Sequence, residues 1–268
     1  GHPQSSYGRF DILSAAPAVS LNTVDGVTCI QQGDLSETST QNPFSVLQSY
    51  LPAVQESLEQ VPFCGGALGY FGYDLGRSLE QMPEAALKDI ELPDMSIGIY
   101  PWAIVQDHHG QQAWLVVNKA VAVAYNFLEI ERICLASIQN TRFHDLKQNL
   151  KSGSNSFKIN NFESNLKVSD YRLAIQKIHR YIAAGDCYQV NFAQRFSASC
   201  QGDSFQAYLR LRDALPSPFS AYMELPEGTI LSLSPERFIK LEQSRAETKP
   251  IKGTIARGKT PEEDDANA

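Results

Sequence analysis

Apolar residues recur along this chain with two periods, one helical and one that of a strand. Val46, Leu47, Tyr50 and Leu51 fall on one helix face. Asn42-Pro43 just before them supplies an N-cap and a proline at the first helical position. Phe127, Ile130, Cys134 and Ile138 predict a longer helix with Cys134 in its core stripe. Tyr171, Ile175, Ile178 and Ile182 predict another, capped by Ser169 and ended by Gly185, with His179 beside the stripe on the helix surface. Ser204 to Leu215 predicts a helix stopped by Pro216.

The remaining stretches have strand character. Val27 to Gln31 reads as a short strand, and Phe10 to Pro17 as an apolar-rich lead-in. Ile97 to Gln106 and Ala113 to Val117 are β-rich and flank Asp107-His108-His109-Gly110, which has hairpin-turn composition. In Tyr188 to Phe196, Tyr188, Val190, Phe192, Gln194 and Phe196 form one mostly apolar face and Gln189, Asn191 and Arg195 the other, which predicts a strand whose polar side either lines a pocket or faces water. Pro218 to Tyr222 leads into a strand, Pro226-Glu227-Gly228 turns it, and Thr229 to Ser234 runs on to Glu236. In Phe63 to Asp74 glycines mix with aromatics. The spacing matches no phosphate-binding loop and fits a strand packed closely against other backbone.

Helices and strands in this order describe an α+β protein. Lys151 to Asn165 turns to Ser, Asn, Lys and Gly, the composition of a linker, and predicts an N-terminal region over 1–155 and a second region over 165–268.

Composition narrows the function classes. Of the 268 residues, 43% are apolar and 20% charged, as in a soluble globular protein, and no apolar run is long enough to span a bilayer. A net charge of −7 without a basic stripe argues against nucleic acid. The five cysteines are scattered and form no Cys-x-x-Cys pair, a pattern of free thiols in a reducing cytoplasm. The chain starts without methionine and stops just past its most loaded motif, as expected of a piece of a longer protein.

That motif is Pro250-Ile251-Lys252-Gly253-Thr254. Proline and glycine fix the backbone around Lys252, and a partly apolar pocket would favour its neutral, nucleophilic amine. The strand ending in Ser234-Pro235-Glu236 delivers a carboxylate to the same region, so Lys252 and Glu236 form a candidate nucleophile and acid pair. Tyr7-Gly8-Arg9-Phe10 fits either a clamp for an aromatic amino acid, by stacking and carboxylate pairing, or a strand lead-in with a surface arginine. His108 and His109 are adjacent residues on a turn with no third histidine nearby, and read as turn rather than metal site.

Gly185 to Phe196, Leu233 to Phe238 and Pro250 to Thr254, in this order, resemble the motifs of the chorismate-utilising enzyme family. Phe63 to Arg77 and Leu92-Pro93-Asp94-Met95 resemble its N-terminal half, so the likeness covers essentially the whole chain. It implies antiparallel sheets facing each other with helices outside, as in the anthranilate synthases. In those enzymes the motif resembling 250–254 typically has alanine where this chain has Lys252. In isochorismate and salicylate synthases a water-activating lysine occupies the position of Gln189. Lysine at the first and glutamine at the second imply ammonia as nucleophile and 4-amino-4-deoxychorismate as product, in para-aminobenzoate and folate synthesis.

By the same resemblance, Lys252 and Glu236 are catalytic, through a lysine-linked intermediate, and Gly253, Thr254 and Gln189 bind substrate. Mg²⁺ is the implied cofactor, with no ligands in this stretch, because the family's magnesium-binding glutamates lie in a C-terminal part beyond it. The stretch alone is therefore not expected to turn chorismate over. A separate glutamine amidotransferase subunit is the implied ammonia source. Tyr7, Gly8, Arg9 and Phe10, with Pro218, Phe219 and Ser220, match a tryptophan pocket. The competing readings are anthranilate synthase component I and a non-catalytic tryptophan-binding sensor.

Overall fold

The structure, a computed structural model, describes residues 8–51, 58, 61–83, 88–118, 157–242, 244–250 and 258–267. Tyr7, the helix expected at Phe127–Ile138, most of the expected linker, and Lys252, Gly253 and Thr254 lie outside these. The chain divides into two compact units, Gly1–Thr141 with Arg210–Ala268, and Arg142–Leu209.

The larger unit is built on a five-stranded antiparallel sheet of order β4-β3-β2-β6-β5. Its strands are β2 (Val19–Val24), β3 (Val27–Gln32), β4 (Leu35–Ser39), β5 (Gly66–Phe71) and β6 (Met95–Tyr100). Asp25-Gly26 joins β2 to β3 with φ of 49° and 77°, the two positive values of a tight hairpin turn, and sets Val24 opposite Val27. Helix α1 (Pro43–Tyr50) follows β4. Its N-cap is Asn42, whose side chain accepts a hydrogen bond from the Phe44 N–H at 2.9 Å, and Pro43 opens the helix as the sequence predicts. Val46 and Leu47 on its inner face join Val19, Leu21, Ile30, Leu75, Met95, Ile97 and Ile99 in one core. Full burial of side chains of this size is worth about 1.5–3 kcal/mol each.

The glycine-rich run forms β5, packed against backbone as its composition predicts. A Cβ on Gly69 would come within 2.7 Å of the Ile97 Cα on β6. Sequence expects one β-rich stretch over Ile97–Gln106, whereas the structure breaks it at Pro101. β6 stays in the five-stranded sheet, and β7 (Trp102–Asp107) enters a three-stranded sheet between β1 (Phe10–Leu13) and β8 (Gln112–Val117). Proline has no N–H for either ladder, so the corner falls there.

The smaller unit carries short paired strands, β9 (Lys158–Ile159) with β12 (Cys200–Gln201) and β10 (Glu163–Ser164) with β11 (Phe196–Ser197). Between them lies α2 (Val168–Ala184). Gly185 ends α2 in the left-handed conformation, φ 82°, as expected, and His179 is exposed on its surface. Two expectations fail here. The N-cap is Lys167, in extended conformation, so Ser169 lies inside the first turn and its hydroxyl turns to the Asp170 carboxylate at 3.2 Å. The strand expected over Tyr188–Phe196 is irregular as far as Arg195, because among the described residues no strand is laddered to it.

Helix α3 (Ser204–Ala214) follows. The larger unit then resumes with two hairpins, β13 (Phe219–Leu225) with β14 (Gly228–Ser234), and β15 (Lys240–Glu242) with β16 (Arg245–Glu247). Helix α4 (Pro261–Asn267) is the last described element. No described helix is long and apolar enough to cross a membrane. Cys29, Cys64, Cys187 and Cys200 are free thiols.

Candidate functional site

Glu236 lies just past the end of β14, on a peptide held in place by its neighbours. The Ser234 hydroxyl accepts from the Glu236 N–H at 3.2 Å and donates to the Glu236 carbonyl at 2.9 Å. Pro235 between them fixes its own φ, so the backbone under Glu236 is rigid while its side chain is exposed. Such a carboxylate is free to meet a ligand from outside.

The next residue, Arg237, turns inward. Its Nη2 pairs with Glu247 Oε1 on β16, and its guanidinium lies over the Phe219 ring with 5.6 Å to the centroid. Phe219 opens β13 and is paired in register with Ser234. The Thr248 hydroxyl donates to the Phe238 carbonyl at 2.9 Å. The β15–β16 hairpin therefore leaves from beside Glu236 and returns the chain to Pro250, where the segment carrying Lys252 begins.

Gln189 lies in the smaller unit, exposed on the irregular segment after α2, and its amide donates to Asn191 Oδ1 at 3.3 Å. The residues matched to a tryptophan pocket fall in two places. Pro218, Phe219 and Ser220 are half-buried around the start of β13, where the Ser220 hydroxyl donates to the Ser217 carbonyl at 2.9 Å. Gly8 is buried, Phe10 is half-buried in β1 beside Ala103, Val105 and Val116, and Arg9 stacks over the Phe10 ring at 4.7 Å.

Sequence reasoning did not foresee the partner of Arg9. Its guanidinium donates twice to Asp107, and this hydrogen bond foremost holds the Asp107 carboxyl well below the ordinary carboxylate range. Next to it, Asp11 accepts from Arg212 Nη2 at 2.7 Å and meets His108 Nε2 at 2.9 Å. Burial pushes the Asp11 carboxyl up, but the charged donors around it, Arg212 first among them, outweigh burial and leave it below its ordinary value. The signal available in sequence was Asp107 itself, an acid ahead of two histidines in a turn. Arg9 lies 98 positions from Asp107 and Arg212 lies 201 from Asp11, beyond any local pattern.

The chain belongs to the chorismate binding enzyme family, whose sequence profile matches residues 6–268. Within that family it is similar to aminodeoxychorismate synthase component 1. It is 40% identical to that protein of Escherichia coli (strain K12), over 100% of this chain and 56% of the relative. It is 32% identical to the Bacillus subtilis (strain 168) protein of the same name, over 97% of this chain and 55% of the relative. Anthranilate synthase alpha subunit 2, chloroplastic, of Arabidopsis thaliana is 30% identical, over 98% of this chain and 45% of the relative. The fold is that of anthranilate synthase component I from Streptococcus pneumoniae TIGR4, with a TM-score of 0.75 at 22% identity, over 90% of this chain and 53% of that one. The chain thus spans about half the length of the curated relatives it matches.

Proposed function

We propose that the protein carrying this chain aminates chorismate with ammonia to 4-amino-4-deoxychorismate, on the route to para-aminobenzoate and folate. The observation that carries this reading is the 40% identity, along 100% of the chain, to a relative named aminodeoxychorismate synthase component 1. Lys252 supports it against the anthranilate synthases, whose matching motif typically holds alanine there. "Component 1" in the relatives' name supports a second subunit, which we take to be a glutamine amidotransferase that supplies the ammonia.

The neutral Lys252 amine attacks C2 of the chorismate ring while both double bonds of the ring diene shift and the C4 hydroxyl departs. Glu236 gives that hydroxyl its proton, so it leaves as water. Ammonia then adds at C4, both double bonds shift back, and the lysine amine is expelled from C2. Protons lost by ammonia return through Glu236, acting as base and then acid. The exposed side chain of Glu236 on a fixed peptide suits a group that must meet substrate and exchange protons. Gly253, Thr254 and Gln189 are assigned to substrate binding. Pro218, Phe219 and Ser220 are assigned with Tyr7, Gly8, Arg9 and Phe10 to a structural tryptophan, a role for which Arg9 would have to serve Asp107 as well. Among the described residues no three His, Cys, Asp or Glu side chains gather to hold a metal, and no step here runs through Mg²⁺.

The test uses the full-length protein with chorismate and Mg²⁺ but no ammonia, followed by intact mass spectrometry. An adduct that maps to Lys252 and vanishes in Lys252→Ala establishes the covalent route. Product without an adduct, once ammonia is added, keeps the reaction and reduces Lys252 to a binding role. A product lacking the pyruvyl side chain, with its amine at the ring 2-position, gives the case to anthranilate synthesis. Tryptophan binding with neither adduct nor product favours a sensor.

A further inference from the structure

We infer that Arg237 is a positioning residue for Glu236, clamping the end of β14 to β13 on one side and to β16 on the other. The inference rests on the reading of Glu236 as the general acid.

Glu236 and Arg237 are sequence neighbours with opposite fates. Glu236 is exposed, whereas the Arg237 side chain is 23% exposed and engaged on two sides. Its flat face covers the Phe219 ring at 5.6 Å, and its edge pairs with Glu247 Oε1. Phe219 stands opposite Ser234 in the β13–β14 ladder, and Ser234 in turn brackets the Glu236 peptide through its hydroxyl. Glu247 stands opposite Lys240 at the base of the next hairpin. Three strands are thereby joined through the residue next to the acid.

The three-residue β15–β16 ladder is too short to hold its own direction in water. Without the clamp the Ser234 turn still shapes the Glu236 peptide, but its hold on the hairpin leading to Lys252 is reduced to the chain itself and the Thr248–Phe238 hydrogen bond. A guanidinium suits this place because it stacks and pairs at once, which a lysine ammonium does only in part. An error of about 1 Å in the placement of an acid can cost on the order of a hundredfold in rate.

The test uses the full-length protein with Arg237→Ala, Arg237→Lys, Glu247→Gln and the double variant Arg237→Ala/Glu247→Gln. Hydrogen exchange over 234–250 and the kcat and KM for chorismate are measured. Arg237→Ala and Glu247→Gln are each expected to speed exchange in that segment, the double variant no more than Arg237→Ala alone. kcat is expected to fall on the order of tenfold to a hundredfold with KM held, and Arg237→Lys to recover part of both readouts. It also keeps the test open should the alanine variant not fold. Unchanged exchange over 234–250, additive effects in the double variant, or a loss confined to KM overturns the inference. A wild type that forms no product from chorismate and ammonia defeats the reading of Glu236 and the catalytic half of this inference with it, while exchange still judges the clamp by itself.

Discussion

Arg9 grips Asp107 with two hydrogen bonds, Nε to Oδ1 at 2.9 Å and Nη2 to Oδ2 at 2.6 Å, and the carboxylate it holds is 2% exposed. A guanidinium and a carboxylate meeting edge to edge form the strongest kind of ion pair a side chain offers, and here one partner has left water almost entirely. The His109 N–H adds a third donor at 3.0 Å. The His108 N–H donates to the Arg9 carbonyl at 2.9 Å, continuing the β1–β7 ladder past Phe10 and Asp107. The pair therefore closes the end of the three-stranded sheet.

Asp107→Asn should lower the melting temperature near neutral pH, because it leaves Arg9 facing an amide in place of a charge. The dependence on pH has a definite sign. The Asp107 carboxyl is depressed in the folded state, so its contribution is intact above the ordinary value of 3.8 and is lost progressively as pH falls below it. The gap between wild type and variant should hold steady down to mildly acidic pH and close only in stronger acid. Thermal melts across pH check this. A gap that closes well above 3.8 assigns the effect to another group.

Thr23 and Thr28 face each other across the β2–β3 ladder, 1% and 0% exposed, with hydroxyls 2.8 Å apart. One hydroxyl donates to the other in a place water hardly reaches. Thr23→Val strands the Thr28 hydroxyl and should cost about 1–3 kcal/mol. Thr23→Val/Thr28→Val removes both polar groups at once and should cost less than either single change. Denaturant unfolding measures the three variants. A double variant less stable than both singles refutes the pairing.

Gly69→Ala should be among the most damaging single-methyl additions to the larger unit. The new Cβ would press on the Ile97 Cα and Ser96 carbonyl of β6, which are backbone and cannot swing aside. Overpacking of this kind costs about 3 kcal/mol or more where nothing yields. Circular dichroism and a denaturant melt would show the loss, and a variant as stable as wild type would mean that β5 and β6 are not so closely apposed.

The features legible in sequence were those whose cause is local. Asn42-Pro43 caps α1 with its own atoms, Gly185 ends α2 by adopting a φ that other residues resist, and the glycine run of β5 declares a close approach by lacking side chains. Asp25-Gly26 is equally local, its two positive φ values fixing the β2–β3 register. What could not be read depends on distant partners. The alternation over Tyr188–Phe196 is strand-like, but a strand exists only beside another, and no described strand is laddered to it before Phe196. Asp11 joins Arg212 and His108 across long intervals, so no window of sequence contains the cluster. For the candidate site, Glu236 was placed correctly at the end of a strand. Its neighbour Arg237 carries no local signal, because its meaning comes from Phe219 and Glu247.

Helix α1 allows the cap to be weighed against the core. It has eight residues, too few to be stable alone in water, so contacts beyond its own hydrogen bonds must hold it. Asn42→Ala removes the 2.9 Å hydrogen bond to the Phe44 N–H and should cost about 1 kcal/mol, and Asn42→Ser should restore most of it. Leu47→Ala opens a cavity in the core that Leu21, Met95 and Ile99 line, and should cost about 2–5 kcal/mol. If packing holds the helix, the core variant loses more stability than the cap variant in denaturant melts. The two losses should also fail to add in Asn42→Ala/Leu47→Ala, since a helix already detached from the sheet has little left for its cap to protect. Equal losses, or strict additivity, would mean that α1 holds its shape independently of the sheet beneath it.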